Sequence, residues 1–143
     1  MAEVRNFGTM KRLTLATAAL SGLCSGALAE GARLNLDCSL VTVCSEAGIC
    51  AAGEGPVAFT LAPLETDAAG AGDYEVSVDG AEALPAAALG FAGPFLWQPS
   101  EGTRMALSLT SETTALWTRQ TTRSGTDAPP SAEIDFLTCR ILP

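Results

Sequence analysis

The chain has 143 residues, 48% hydrophobic and 17% charged, with 16 acidic residues against 8 basic ones, a formal net charge of −8 and no histidine. So anionic a chain does not bind nucleic acid or an anionic membrane surface by electrostatics, whereas the balance suits solubility or a cationic partner. The missing histidine removes the commonest general base and the partner of most Ser and Cys nucleophiles.

In chain order, Arg5, Lys11 and Arg12 precede an apolar run from Leu13 to Cys24, and Ala27-Leu28-Ala29 before Glu30 has the small-residue pattern that signal peptidase cleaves. These three parts predict a secretory signal peptide over residues 1–29, a mature start at Glu30, and a periplasmic or secreted product. The run is too short and too interrupted by Ser, Thr and Gly for a retained helix, which needs about 20 mostly apolar residues. No second candidate follows, so no membrane span is expected. Met10-Lys11-Arg12 would itself serve as a signal start, a choice that leaves the mature chain unchanged. Cys24 invites comparison with a lipoprotein signal, which takes a small residue directly before the cysteine and a Leu-like residue three before it. Here Ser21 and Leu23 hold those two positions the wrong way round, so cleavage after Ala29 is preferred.

The exported part, Glu30 to Pro143, is 114 residues, a single small domain that covalent staples help to hold together. Losing Glu3, Arg5, Lys11 and Arg12 with the leader takes its net charge to −10. Losing Cys24 leaves four cysteines, an even number in an exported chain, which reads as two disulfides. Four cysteines allow three pairings. Cys38, Cys44 and Cys50 are each separated by five residues, unlike the close pairs of zinc sites, and no metal or cofactor is expected. Cys44–Cys50 would close a small loop around Gly48, and Cys38–Cys139 would join the first and last strands.

The strand signals run almost throughout. Leu34, Leu36, Cys38 and Leu40 alternate with Asn35, Asp37 and Ser39 in the period-two pattern of a half-buried strand. Further strands are expected at Val57 to Leu64, Tyr74 to Val78, Pro94 to Gln98, Arg104 to Thr110, Thr114 to Thr121 and Glu133 to Ile141. Turn signals separate them, among them Asp79-Gly80, which suits a type I′ hairpin because both central residues take positive φ. Ala81 to Leu89 is alanine-rich, but Pro85 in its middle breaks any helix of that length. Arg123 to Ala132, with Pro129-Pro130, reads as an exposed loop. The expected fold is all-β: a small antiparallel barrel or sandwich of about seven to eight strands, tied by disulfides. Closure between the first and last strands favours the barrel, which removes exposed edges.

Chemistry is sparse in such a chain. The exported part has no histidine and no lysine, and its cysteines are expected to be oxidised, so no catalytic residue is expected and the protein reads as a non-enzyme. A carboxylate pair of the glycosidase kind would have to be Asp135 with Glu133 or Asp73 with Glu75. Both pairs are i, i+2 neighbours on one strand face, a spacing that 15 acids produce by chance. No D-x-D-x-D-G loop suggests calcium.

The aromatic and arginine residues are more suggestive. Trp97 lies in Pro94-Phe95-Leu96-Trp97-Gln98-Pro99, and Trp117 lies in Ala115-Leu116-Trp117-Thr118-Arg119, followed by Arg123. Tryptophan beside arginine is the mix found at binding hot spots, and Trp117, Arg119 and Arg123 form the candidate partner-binding patch. A barrel this size also needs large side chains inside it. If Leu116 faces inward, Trp117 and Arg119 face outward together; the opposite phase buries Trp117 and removes the anchor of the patch.

An exported, disulfide-tied all-β domain with a cysteine near each end and Leu116-Trp117-Thr118-Arg119 before its last strand resembles the periplasmic inhibitors of c-type lysozyme. It departs from them in having Gln120 where a glycine is expected, in lacking their Ser-Gly-x-x-Tyr segment, and in its C-x5-C-x5-C start. More broadly the chain resembles uncharacterised Ala- and Gly-rich exported proteins of alphaproteobacteria, which names no activity. The inhibitor resemblance implies a monomeric binding or inhibitory module for a cationic envelope hydrolase such as lysozyme, carried by an acidic surface or by the Trp117 patch. The alternatives are a carrier of a small apolar ligand in the barrel interior, and an envelope protein whose partner leaves no mark in the sequence.

Overall fold

Period-two alternation makes the strands of this chain, and the pairing of its last strand with its first decides the architecture. A computed structural model describes residues 32–122 and 130–143; the expected signal peptide, Glu30 and Arg123 lie outside the described residues. Nine strands follow one another: β1 Leu34–Ser45, β2 Cys50–Ala52, β3 Pro56–Thr66, β4 Ala71–Val78, β5 Leu84–Leu89, β6 Phe95–Ser100, β7 Thr103–Leu109, β8 Thr114–Thr121 and β9 Ser131–Leu142, and the described residues contain no helix. From β3 to β9 each strand pairs antiparallel with the next, β1 pairs with β3, and β9 returns to pair with β1 from Asn35↔Leu142 to Ser45↔Glu133. Eight strands thus close a barrel, as the alternation and the terminal cysteines implied. Short β2 is an addition, folded back on the end of β1 by the pairs Thr42↔Ala52 and Cys44↔Cys50.

Both expected disulfides are present. Cys38 and Cys139 are directly opposed on β1 and β9, 4.0 Å apart at Cα, and bridge the seam that closes the barrel. Cys44 and Cys50 join β1 to β2 with Cα atoms 4.1 Å apart. Two bridges are compatible with an oxidising extracellular or periplasmic compartment. All positions from Leu34 to Cys44 would alternate on two faces in a regular strand, which would put Cys38 and Cys44 on the same one. A β-bulge between Leu40 and Thr42 prevents this. The extra residue, Val41, changes the parity, so Leu36 and Cys38 are buried inside while Cys44, opposite Ile134, joins Cys50 on the outside.

The Asp79-Gly80 turn has φ of 51° and 71° at its central residues, as a type I′ turn needs. The Ala81 N–H donates to the Val78 carbonyl at 3.0 Å. Asp79 also ties this turn to β3, its carboxylate accepting from the Ala58 N–H at 2.8 Å. The alanine-rich segment that was excluded from helix is strand β5. Pro85 is tolerated there because β5 pairs with β6 only from Ala86↔Trp97 onward, so the proline sits where the ladder to β6 has not begun.

Inside the barrel, Leu36, Val57, Phe59, Leu61, Tyr74, Val76, Phe95, Trp97, Leu107, Trp117 and Leu137 form one buried cluster. Phe59 and Trp117 meet edge to face with centroids 5.2 Å apart, and Tyr74 and Phe95 do so at 5.1 Å. Such pairs contribute about 0.5–1.5 kcal/mol beyond the area they bury. The Tyr74 hydroxyl donates to the Gly70 carbonyl at 3.0 Å, which satisfies its buried polar end.

Candidate functional site

The phase of β8 decides the fate of the candidate patch. Ala115 and Trp117 are buried, at 2% and 9% exposure, so the inward face of β8 is the odd-numbered one and Leu116 is turned toward the outside. Trp117 and Arg119 do share a face, but it is the interior face, the second of the two phases the sequence allowed. Arg123, the third member, lies outside the described residues. Trp97 is also in the core, at 5% exposure.

Register then assembles an unexpected inward-facing group at the barrel end that carries the β1–β2 turn. Trp117 is directly opposite Asp135, and Arg119 is directly opposite Glu133. The Arg119 guanidinium lies over the Trp117 ring, 4.7 Å from its centroid. It donates to the Glu133 carboxylate and lies 2.8 Å from Asp135 Oδ2. Asp135 is fully buried and is the buried charged residue of the described core. Burial pushes its carboxyl above the usual range; Arg119 pulls it back, and nearby Glu133 raises it further. Trp117 Nε1, Arg119 Nε and Asp135 Oδ1 have no hydrogen-bond partner among the described residues.

The i, i+2 acids thus do share faces, and the two pairs meet different surroundings. Glu133 and Asp135 face inward and are bridged by one arginine, which forms the floor of a groove of ≈ 520 Å³ with Thr103, Met105 and Glu133. Asp135 has no accessible surface for a substrate to touch. Asp73 and Glu75 are exposed on the outer face of β4. Sequence pattern could place each acid on a shared face with its neighbour; only the register across β8 and β9 puts Arg119 between two of them.

A second feature is the segregation of charge. Between Arg33 and Arg104 there is no lysine or arginine, while Asp37, Glu46, Glu54, Glu65, Asp67, Asp73, Glu75, Asp79, Glu82 and Glu101 all fall there. This run passes through β1 to β6, most of the way around the barrel, and its exposed acids are concentrated on β3 and β4. Glu65, Asp67, Asp73, Glu75, Asp79 and Glu82 are exposed on β3, β4 and the turns that flank them, and no ion pair among the described residues engages any of the six. The outward positions of β8 and β9 carry no carboxylate at all, since Glu133 and Asp135 are turned inward.

The geometry defines an all-β, disulfide-closed barrel with a packed aromatic interior, one acidic flank and an internal arginine–carboxylate group. No protein-family model, no curated protein and no solved structure matches the chain. No helix among the described residues is long and apolar enough to cross a membrane.

Proposed function

We propose that this protein is a non-enzymatic binding module of the periplasm or the secreted fraction, whose partner is a cationic protein docking on the β3–β4 flank. The observation that carries this reading is the cluster of Glu65, Asp67, Asp73, Glu75, Asp79 and Glu82, exposed on β3, β4 and their flanking turns and engaged by no ion pair among the described residues. Opposite fields steer association and raise its rate, most strongly at low salt. A cationic envelope hydrolase such as lysozyme is the target class that fits this chemistry, in keeping with the resemblance drawn from Leu116-Trp117-Thr118-Arg119. The acidic flank, rather than the inward-facing Trp117 and Arg119, is the binding element. Aromatic rings occupy the barrel interior, so nothing there favours a carrier of small apolar ligands.

The test uses c-type lysozyme as the probe, with binding followed calorimetrically over a range of ionic strength. A complex is expected at low salt, weakening as salt rises, and Asp73→Lys/Glu75→Lys should weaken it by about tenfold or more, since one lost charge pair at an interface contributes about 1.5 kcal/mol or more. No complex with lysozyme or with other cationic envelope hydrolases at low salt overturns the reading.

A further inference from the structure

One joint of the barrel is short. Strands β5 and β6 pair only from Ala86↔Trp97 to Ala88↔Phe95, so Leu84 and Pro85 on one strand, and Gln98, Pro99 and Ser100 on the other, run past the end of their shared ladder. Pro85 and Pro99 have no N–H with which to extend it. The β6–β7 register is also irregular between Trp97 and Ser100, across from Arg104. The strands part there, and a cleft of ≈ 590 Å³ opens in the barrel wall. Its lining descends from Leu96, 43% exposed, and Ala87, its partner on β5, to Trp97 and Met105. The polar groups on it are Gln98 and Arg104. Small-molecule sites have this size and this make-up, mostly apolar with a few polar groups that fix orientation.

We infer that this cleft binds a small amphipathic carboxylate, with its apolar body against Leu96 and Trp97 and its carboxylate on Arg104. Charge decides the head group. Arg104 is the charged residue of the lining, in a chain with 16 acids and 8 bases, and no ion pair among the described residues engages it. Arg119 and Arg140, by contrast, each hold carboxylates of the chain itself. A guanidinium fork matches a carboxylate with two parallel hydrogen bonds, and apolar walls that exclude water strengthen them. Glu101, in the β6–β7 turn, is outside the lining. The acidic flank comes closest at Glu75 on β4, opposite Pro85. Three strand spacings separate β4 from β7, about 14 Å, which exceeds the screening length of about 8 Å at physiological ionic strength. A carboxylate held on Arg104 is therefore largely shielded from Glu75, and the site does not depend on what docks on the flank.

Octanoate and phenylacetate serve as probes, one with a flexible chain and one with a flat ring, titrated to about 1 mM against the oxidised protein. Heat and tryptophan emission are read together, since Trp97 lines the cleft. Saturable binding of either probe at a single site is expected, and the tighter of the two shows whether the cleft prefers a chain or a ring. Octanol and octylamine, with neutral and cationic heads, should bind about tenfold more weakly than octanoate or worse. Arg104→Gln should weaken carboxylate binding by about tenfold or more and leave octanol unchanged. Ala87→Phe, at an exposed position on the cleft wall, should block both probes. Arg33→Gln, at an exposed arginine outside the lining, should change nothing. Circular dichroism checks that the three variants fold. Failure of both carboxylates to saturate the protein overturns the inference. So does octanol or octylamine matching octanoate, or carboxylate binding indifferent to Arg104→Gln. Lysozyme binding is probed through Asp73 and Glu75, so either proposal can fail without the other.

Discussion

Trp117 on β8 and Asp135 on β9 stand directly opposite each other inside the barrel, and Arg119 one step along β8 touches both, its guanidinium over the indole and 2.8 Å from the carboxylate. An arginine that caps a buried tryptophan and answers a buried acid makes the three side chains one structural unit, closed toward solvent by Glu133. Its energetics follow from Asp135, whose ionised form is desolvated.

Asp135 should tie stability to pH with a definite sign. Burial raises its carboxyl above the unfolded value of 3.8, so the folded state holds the proton more tightly. Between that value and the raised one, folding takes up a proton, and this group's contribution to stability falls as pH rises. Below 3.8 the contribution is fully present. Asp135→Asn removes the slope while keeping size and polarity. Melting curves of the two proteins should diverge progressively as pH rises from 3.8 and run parallel beyond the folded value; parallel curves throughout would show that Asp135 does not titrate differently in the two states.

Arg119→Met should destabilise by about 1–3 kcal/mol. Removing one partner of a fully buried pair costs about 3–5 kcal/mol, and Arg119, with 38% of its side chain exposed, is partly solvated. Without its favourable charge the Asp135 carboxyl is pushed higher still, so the pH window should widen upward. Asp135→Asn placed on top should recover most of the loss, a coupling that a double-mutant cycle measures. Trp117 emission should shift to the red as its ring is uncovered. Additive losses with no spectral change would mean that the three groups act independently.

The two disulfides should differ in their effect. Cys38–Cys139 spans a sequence separation of 101 and Cys44–Cys50 one of 6. The chain-entropy model gives about 4.7 kcal/mol for a loop near 100 residues and about 2 kcal/mol for the short one. Paired Cys→Ala replacement at 38 and 139 should therefore lower Tm well beyond the same replacement at 44 and 50. Equal effects would show that the seam is already held by the β1–β9 ladder.

Gly72→Ala should destabilise by about 1–3 kcal/mol through backbone crowding and strain. Gly72 has φ of +146°, and a Cβ there would overlap the Glu65 carbonyl oxygen, across from the β3 bulge. Gly80→Ala, whose added atom meets nothing within 4 Å, should lose only the cost of a positive φ, about 1 kcal/mol. Chemical denaturation of the two variants separates crowding from torsion.

Much of this fold is legible in the chain alone. Alternation at Leu34 to Leu40, at Met105 to Leu109 and along β8 and β9 identifies strands because side-chain direction in a strand is a local property of period two. Asp79-Gly80 identifies its turn because few residues tolerate positive φ. Cysteines at 38 and 139 favour a fold whose first and last strands lie close together, because a disulfide needs its two Cα atoms within a few ångström. Strand β5 was hidden by Pro85, whose tolerance depends on where the ladder to β6 begins, and β2 by its shortness.

The chain by itself also determined the acidic β3–β4 flank, since Glu65, Asp67, Asp73, Glu75, Asp79 and Glu82 follow one another on two consecutive strands and their turns, which a meander places side by side. Which face Trp117 takes was decided only by the tertiary structure. Alternation specifies that Trp117 and Arg119 lie together but leaves the phase open, because Leu116 and Trp117 are both apolar enough to be core. The β1 bulge, the register that opposes Trp117 to Asp135, and the closure of the barrel over them settle that phase. Each is a relation between strands far apart in the chain, and no local pattern carries it.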